Sequence, residues 1–225
     1  MQKRIITTKD GSHSIEISGT NDIYHSRFGA IQESLHVYIE AGLKPLLQAH
    51  SQINIFEMGF GTGLNALLTL IEAEKNQQNI YYETVELFPL EEELLSTMNY
   101  CGQLKRPDLK NIFEKLHSCE WDKEIIITPY FSFKKRKIDL INYTLPDFIN
   151  LIYYDAFAPT AQPELWQKEI FSSLFSQLSS KAALVTYCSK GKVKRAMQAA
   201  GFHVEKLQGP PGKREMIRAI KRLVV

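Results

Sequence analysis

Apolar and polar residues follow two different patterns along the 225-residue chain. Before residue 50, alternation on either side of residues 9–11 predicts a β-hairpin, and a helix is expected over about 30–41. From residue 51 onward, short apolar segments alternate with helical ones, a pattern typical of a mostly parallel sheet covered by helices on both faces. We therefore expect an N-terminal extension over 1–50, a hairpin and a helix packed on the core, and an α/β core over 51–225.

The core segments predict individual elements. Strands are expected over 53–58, 80–86, 149–157, 182–189, 202–207 and 214–225, and helices over 64–75, 89–98, 163–178 and 192–201. Segments 124–133 and 137–143 flank the basic run Lys134 to Lys137 and predict an inserted hairpin with a charged tip. The last two strands are joined by a short Gly/Pro loop and must be antiparallel, because a parallel return needs a crossover. This arrangement resembles the Rossmann-like class I methyltransferases more than the dehydrogenases, and the resemblance implies a seven-stranded sheet.

Composition places the chain among ordinary soluble proteins, with 44% apolar and 23% charged residues. No apolar run approaches the length needed to span a bilayer, and the N-terminal residues resemble a strand more than a signal peptide. The three cysteines, Cys101, Cys119 and Cys188, lie far apart, without a CxxC pair or a histidine at ligand spacing. This usage indicates a reducing compartment and argues against a metal site. We expect a cytoplasmic protein that does not contact a membrane.

Charge is distributed unevenly, although the net charge is only +2. Residues 181–225 carry eleven Lys or Arg and two acids, a local balance of +9, whereas the remainder of the chain has a balance of −7. Such asymmetry indicates a polyanionic partner near the C-terminal part, or else a solvated helix face that keeps the protein soluble. Charge alone leaves both interpretations open.

A glycine-rich loop follows the first core strand and opens a helix. Its residues are Gly59, Phe60, Gly61, Thr62 and Gly63. Glycines there allow the backbone to turn sharply and to approach a ligand beside a helix N-terminus. The spacing is GxGxG, with Leu64 in place of the last glycine of GxGxxG. Glu86 closes the second core strand, where an acid can bind both ribose hydroxyls, although a surface acid at a strand end is the alternative. Together these features predict an adenosine cofactor.

Glu57 lies directly before this loop and helps to choose between cofactors. A carboxylate there would repel a dinucleotide pyrophosphate but would offset the positive charge of a sulfonium. The alternative is that Glu57 only accepts hydrogen bonds from loop amides. The first interpretation favours S-adenosylmethionine.

The segment YYDAFAP places an acid at the end of the apolar strand over 149–157, where open α/β sheets build their sites. Asp155 could accept a hydrogen bond from an amine and remove its proton. Phe157 and Pro159 could supply flat surfaces for a nucleobase. Alternatively, Asp155 caps the following loop while Phe157 and Pro159 only pack.

Several motifs, in this order, carry a resemblance that covers nearly the whole chain. They are DIYHSRFGAIQESLHVYIEAGL (with Tyr24 and Ser26), GFGTGLN, VELFPL, YYDAFAPTAQPELW and GKREM. The chain resembles the methyltransferase domain of the bifunctional tRNA 5-methylaminomethyl-2-thiouridine biosynthesis proteins (MnmC-like). The resemblance implies methylation of the aminomethyl group of a wobble uridine in tRNA. It also implies cofactor contacts from residues 59–63 and Glu86, and a role for Asp155 near the amine.

Two departures from this family change the expectations. The bifunctional proteins carry an FAD-dependent oxidase domain that this chain does not reach, so a separate oxidase could supply the amine, or the substrate arrives as the amine. The acidic motif after the third strand is replaced by Asn142-Tyr143-Thr144, so either Thr144 contacts the adenine side of the cofactor or Asp139 substitutes.

The C-terminal basic residues gain a meaning from the resemblance. Lys192, Arg195, Lys213 and Arg214 could hold an RNA backbone through its phosphates. Rival hypotheses keep the cofactor and change the acceptor to a small amine or a protein side chain, or replace methyl transfer by aminopropyl transfer. A different class is an inactive RNA-binding protein with a Rossmann fold, which the intact loop, Glu86 and Asp155 disfavour.

Overall fold

The computed structural model describes residues 2–20, 22–146 and 148–222. In this part of the chain the strands form a two-stranded hairpin and a separate sheet of eight strands. The hairpin consists of β1 (Lys3–Thr7) and β2 (His13–Ile17), and its turn includes the predicted residues. The strands of the larger sheet are β3 (Gln52–Met58), β4 (Asn79–Val85), β5 (Ile125–Thr128), β6 (Phe131–Arg136), β7 (Leu151–Tyr154), β8 (Ala183–Thr186), β9 (His203–Gln208) and β10 (Glu215–Ile220).

The large sheet has the order β5-β6-β4-β3-β7-β8-β10-β9. Strands β6, β4, β3, β7 and β8 are parallel, and β10 and β9 are antiparallel to their neighbours. The predicted α/β fold, with a mostly parallel sheet that finishes in an antiparallel hairpin, is confirmed. The implied number of seven strands is too low, because β5 adds an antiparallel strand at the edge beside β6.

The basic run Lys134 to Lys137 does not form the predicted hairpin tip. Strands β5 and β6 are joined over residues 129–130, and most of the run forms the second half of β6. In place of the second predicted strand, residues 137–143 contain only the 3₁₀ turn Leu140–Asn142.

Lys135 explains how this charged segment becomes a strand. Its side chain points inward and is only 1% exposed. The ammonium group lies 4.5 Å from the centre of the Trp121 ring and donates to the carbonyl of His117. A long alkyl stem can be buried when its charged end finds such partners.

The first helix begins as α1 (Ala30–Ser34) and continues as a π-helical segment (Leu35–Leu43). The predicted helix over 89–98 is reduced to one turn. The segment predicted as one helix over 163–178 begins with the 3₁₀ turn Pro163–Trp166, and the α-helix starts only after it. The other helices are α2 (Leu64–Asn76), α3 (Glu92–Leu95), α4 (Tyr100–Gln103), α5 (Lys110–Ser118), α6 (Lys168–Gln177) and α7 (Gly191–Ala199). The sequence patterns predicted neither α4 nor α5.

Apolar side chains are buried on both faces of the sheet. All four residues of β7 are buried, as expected of a central strand. The π-helical segment packs on one face, where a Cβ on Gly42 would lie 3.0 Å from Cγ2 of Val185. The division of the chain at residue 51 stays a prediction. Within the described ranges, no helix is long and apolar enough to cross a bilayer.

Candidate functional site

A cavity of about 540 Å³ opens at the edge of the sheet where the carboxyl ends of the parallel strands meet. Such an edge is where open α/β sheets bind ligands, and the volume is that of a small-molecule site. The loops after β3, β4, β7 and β8 line it, together with residues 22–26 and Phe28 of the N-terminal extension and residues 212–213 between β9 and β10.

The loop between β3 and α2 brings backbone to the cavity. Gly59 has φ of 90° and Gly63 has φ of 73°, in the left-handed region that favours glycine. A Cβ on Gly59 would lie 3.0 Å from the carbonyl oxygen of Asp155, and one on Gly63 would lie 2.7 Å from Nε2 of His117. A larger residue at either position would clash, so the loop presents main chain beside the N-terminus of α2. Phe60, Gly61 and Thr62 line the cavity.

Glu86 is fixed at the mouth of this loop. One carboxylate oxygen accepts from the backbone N–H of Gly61 at 3.1 Å, and the other accepts from that of Phe88 at 2.8 Å. Each carboxylate oxygen retains a lone pair. Glu86 therefore offers two acceptor positions, a suitable partner for a pair of hydroxyl groups.

Asp155 lies where β7 ends and lines the cavity beside the glycine loop. Its backbone N–H donates to the carbonyl of Met58 at 3.1 Å, which holds it at the end of the central strands. Its Oδ2 accepts a hydrogen bond of 2.8 Å from Nδ2 of Asn65, the second residue of α2. Asp155 therefore links the segments that follow the neighbouring strands β3 and β7 through its hydrogen bonds.

The same Asn65 amide also donates to Oε1 of Glu57 at 3.0 Å, so it bridges two carboxyl groups. Glu57 is fully buried behind the cavity wall and does not line the cavity. The predicted contact of Glu57 with the cofactor stays a prediction, and this placement does not favour it. The Glu57 side chain is buried in the sheet core, where it accepts from Asn65.

Both carboxyl groups hold protons more tightly than usual. Burial raises the pKa of Asp155, although nearby His25 and the hydroxyl of Tyr38 oppose the effect. Burial and the charge of Asp155 raise the pKa of Glu57 well above its ordinary value. A buried carboxyl without a cationic partner favours its neutral form, and Glu57 is such a group. Asp155 differs because it reaches the cavity.

Residues of the N-terminal extension form the opposite wall. The Tyr24 ring packs against Gly61, where a Cβ would lie 3.2 Å from its Cδ1, and it meets the Phe157 ring edge-on at 5.0 Å. His25 is buried, and its Nε2 lies 2.8 Å from the hydroxyl of Thr62. The resemblance had drawn attention to Tyr24 but not to His25, which only the folded chain brings to this loop.

Lys213 lines the cavity and does not extend freely into solvent. Its ammonium pairs with Glu33, which is 6% exposed, and lies 4.0 Å from the centre of the Tyr187 ring. The backbone N–H of Ser26 donates to the same carboxylate at 2.9 Å. The prediction that Lys213 holds a phosphate stays a prediction, and this pairing does not favour it, because leaving Glu33 buried and unpaired would be costly.

Some of the remaining predicted residues line the cavity, and others lie outside it. Phe157 and Asp139 line the cavity, whereas Thr144 and Pro159 do not, and Thr144 is exposed elsewhere on the surface. Of the two predicted alternatives, Asp139 lies at the cavity and Thr144 does not, and the contact of either residue with the cofactor stays a prediction. Exposed positions outside the cavity are occupied by Lys192, Arg195 and Arg214.

Comparison with known proteins agrees with a site built for an adenosine-containing cofactor. A family model described as S-adenosyl-L-methionine-dependent methyltransferase matches residues 109–222, half of the chain. The chain belongs to this family of S-adenosyl-L-methionine-dependent methyltransferases. The predicted enzyme class and cofactor are confirmed.

Individual relatives confirm the resemblance seen in the motifs. The tRNA 5-methylaminomethyl-2-thiouridine biosynthesis bifunctional protein MnmC of Burkholderia mallei is 31% identical over 235 residues, covering 95% of this chain and 34% of that protein. The protein of the same name from Burkholderia multivorans is 30% identical over 211 residues, covering 87% of this chain and 32% of its own length. The chain thus spans about a third of the curated relatives it matches.

Solved structures agree with the fold. The crystal structure of MNMC2 from Aquifex aeolicus has a TM-score of 0.79 to this chain at 23% identity. The match covers 97% of this chain and 70% of that one. Spermidine synthase from Thermotoga maritima is less similar, with a TM-score of 0.53 and 11% identity.

Proposed function

We propose that this methyltransferase methylates the aminomethyl nitrogen at position 5 of a wobble uridine in tRNA. The observation that carries the proposal is Asp155, a carboxylate of raised pKa that faces a cavity between a cofactor loop and aromatic side chains. The name of the relatives supports the acceptor, because a 5-methylaminomethyl group is the product of one methyl transfer to an aminomethyl group.

The cavity fits the family's cofactor. We assign the ribose hydroxyls to Glu86, whose two oxygens retain acceptor capacity. The backbone of residues 59–63 and the N-terminus of α2 then lie against the methionyl part, and Tyr24 covers the loop. Asp139 and Ile141 line the same cavity beyond Glu86, and we assign them to the adenine.

Proton removal is the part of the chemistry that falls to the protein. When bound, S-adenosylmethionine would supply an electrophilic methyl group to the lone pair of the acceptor nitrogen, with S-adenosylhomocysteine as the leaving group. An alkylamine is mostly protonated near neutral pH and has no free lone pair, so a base must first take its proton. Asp155 is placed to accept it, and a raised pKa makes this carboxylate a better base than an exposed aspartate.

Asn65 keeps that carboxylate in position. Its amide donates to Asp155 and leaves the other carboxylate oxygen to the substrate. The second hydrogen of the same amide is held by Glu57, which fixes the orientation of Asn65. We assign Asn65 and Glu57 as positioning residues and Asp155 as the catalytic base.

We propose that exposed cations around the cavity bind the phosphates of the RNA backbone. Lys192 and Arg195 lie in α7, which follows the carboxyl end of β8, and Arg214 directly precedes β10. Strand β10 pairs with β8 so that its first residues lie at the same edge of the sheet. All three side chains are at exposed positions and can neutralise phosphates. The amine is proposed to arrive preformed, from an oxidase active site separate from this cavity.

The experiment that tests this function is methyl transfer from labelled S-adenosylmethionine to tRNA that carries 5-aminomethyluridine. Nucleoside mass spectrometry should show that nucleoside one methyl group heavier, and transfer to the free nucleoside should be much slower. Equal kcat/KM on the free nucleoside would move the protein to the small-amine class. Binding of cofactor and tRNA without any transfer would favour the inactive RNA-binding alternative.

A further inference from the structure

Phe28 is an aromatic side chain at the rim of the cavity that the proposed chemistry does not use. Its ring is 43% exposed and lines the cavity on the side of the N-terminal extension. One exposed phenyl ring needs no explanation by itself, but this one lies at the mouth of the cavity, where a ligand can reach it.

The Phe28 ring is held in place by the Gly212 backbone and by a hydrogen bond within its own loop. A Cβ on Gly212 would lie 2.2 Å from Cδ2 of Phe28, so the Gly212 backbone packs against one ring face. Gly212 has φ of 83°, which only glycine adopts readily. The backbone N–H of Phe28 donates to the Ser26 hydroxyl at 3.2 Å. One face of the ring is therefore supported and preorganised.

The ring also carries a cation that can be displaced. The ammonium of Lys9 lies 4.5 Å from the ring centre, and the backbone N–H of Lys9 donates to the carbonyl of Arg27 at 3.0 Å. Across the described ranges, no carboxylate lies within ion-pair distance of Lys9. An exposed cation over an aromatic ring is a weaker interaction than the stacking of a nucleobase on that ring.

We propose that Phe28 stacks on the base of the nucleotide next to the acceptor uridine, and that Lys9 moves from the ring to a phosphate of the same RNA strand. The arrangement combines an aromatic platform with a cation without a carboxylate partner, the two elements by which proteins hold single-stranded RNA. An apolar protein segment, the alternative partner, would pack on the Phe28 ring but would leave the Lys9 ammonium without a partner. This inference rests on the proposed function and adds to it the recognition of a flanking base.

The probe is a stem–loop RNA with one 5-aminomethyluridine in its loop and 2-aminopurine beside it, bound in the presence of S-adenosylhomocysteine. Stacking on Phe28 should quench the fluorescence of 2-aminopurine. Phe28→Leu should abolish the quenching and weaken RNA binding about five- to a hundredfold, the usual effect of losing one stacked base. Phe28→Tyr should retain both. Lys9→Ala should lower the salt dependence of binding by about one phosphate contact.

Phe148→Leu is the matched control, because Phe148 is 75% exposed and precedes β7 at the opposite edge of the sheet. It should leave RNA binding unchanged, and every variant should bind S-adenosylhomocysteine like the wild type. Replacing the flanking nucleotide by an abasic one should weaken wild-type binding but should not weaken Phe28→Leu further.

Three results would overturn the inference. Additive losses from the abasic site and Phe28→Leu would show that the ring does not contact the flanking base. Weaker S-adenosylhomocysteine binding in Phe28→Leu would place the ring in the cofactor site. Failure of the wild type to bind the RNA would overturn this inference and the tRNA assignment together. By contrast, RNA binding with normal quenching but no methyl transfer would contradict only the proposed function.

Discussion

The two walls of the cavity are built from different kinds of contact. The cofactor wall, residues 59–63 with Glu86, is held by hydrogen bonds from main-chain N–H groups and by Gly59 and Gly63, where a side chain would be strained and crowded. The acceptor wall, formed by Tyr24, Phe28, Phe157 and Lys213, is held by side chains from segments far apart in the chain. We expect substitutions in the first wall to abolish cofactor binding and those in the second to change acceptor use. Asp155 lies where the walls meet.

The largest effect on cofactor affinity should come from Gly59→Ala in the cofactor wall. The new Cβ would lie 3.0 Å from the carbonyl of Asp155, at a φ that alanine adopts only with strain. Affinity for S-adenosylhomocysteine, measured by calorimetry, should fall about a hundredfold or more, since strain and the clash act together.

Gly19→Ala is the matched control, because Gly19 has φ of 84° but no atom within 4 Å of the new Cβ. It carries the backbone strain without the clash and lies far along the chain from the loop. Equal loss of cofactor affinity in both variants would mean that the loop is not the binding element.

Asn65→Ala should affect Asp155, which lies where the two walls meet. Removing the amide leaves Asp155 and buried Glu57 without the donor they share. An unsatisfied buried group costs about 1–3 kcal/mol, so the free energy of unfolding should fall by that amount. The methylation rate should fall more than cofactor affinity, which kcat and calorimetry would separate. An unchanged rate with lowered stability would show that Asn65 only maintains the fold.

Glu57→Gln should have the smallest effect, and one that depends on pH. The pKa of Glu57 in the folded protein lies above its ordinary value of 4.5, so the folded state binds the proton more tightly than the unfolded state. Its contribution to stability is therefore full below the unfolded pKa and is lost as pH rises towards the folded pKa. The variant should gain stability relative to the wild type as pH increases, in denaturant titrations from acid to neutral pH. A constant difference at all pH values would contradict the assignment.

Local sequence was enough to predict where the residues of the cofactor wall lie. The loop at 59–63, Glu86 and Asp155 each follow a recognisable strand, and parallel strands bring their carboxyl ends together. Glu57 could not be placed in the same way, because strand periodicity does not reveal that this penultimate side chain of β3 turns away from the cavity. Thr144 was placed by analogy with a motif that the chain lacks, and the turn Leu140–Asn142 brings Asp139 to the cavity instead.

The acceptor wall depended on contacts that local patterns do not encode. His25 reaches Thr62 across 37 residues, and Glu33 reaches Lys213 across 180. A net count of C-terminal charges could not distinguish Lys213, which pairs with a buried acid, from exposed Arg214. Asn65 carried a visible signal in GFGTGLN, but its partners became evident only from the fold.

The central claim is that Asp155 is the base, and Asp155→Asn tests it most directly. Asparagine keeps the shape and can still accept from Asn65, but it cannot take a proton. We expect kcat for methylation of aminomethyl-bearing tRNA to fall about 10²- to 10⁴-fold, the usual contribution of a general base, with S-adenosylhomocysteine affinity unchanged. The residual rate should rise with pH as the free amine becomes available, whereas the wild-type rate should fall at acid pH as Asp155 is protonated, at a pH above its ordinary pKa of 3.8. A variant that methylates at the wild-type rate with the wild-type pH profile would contradict the account.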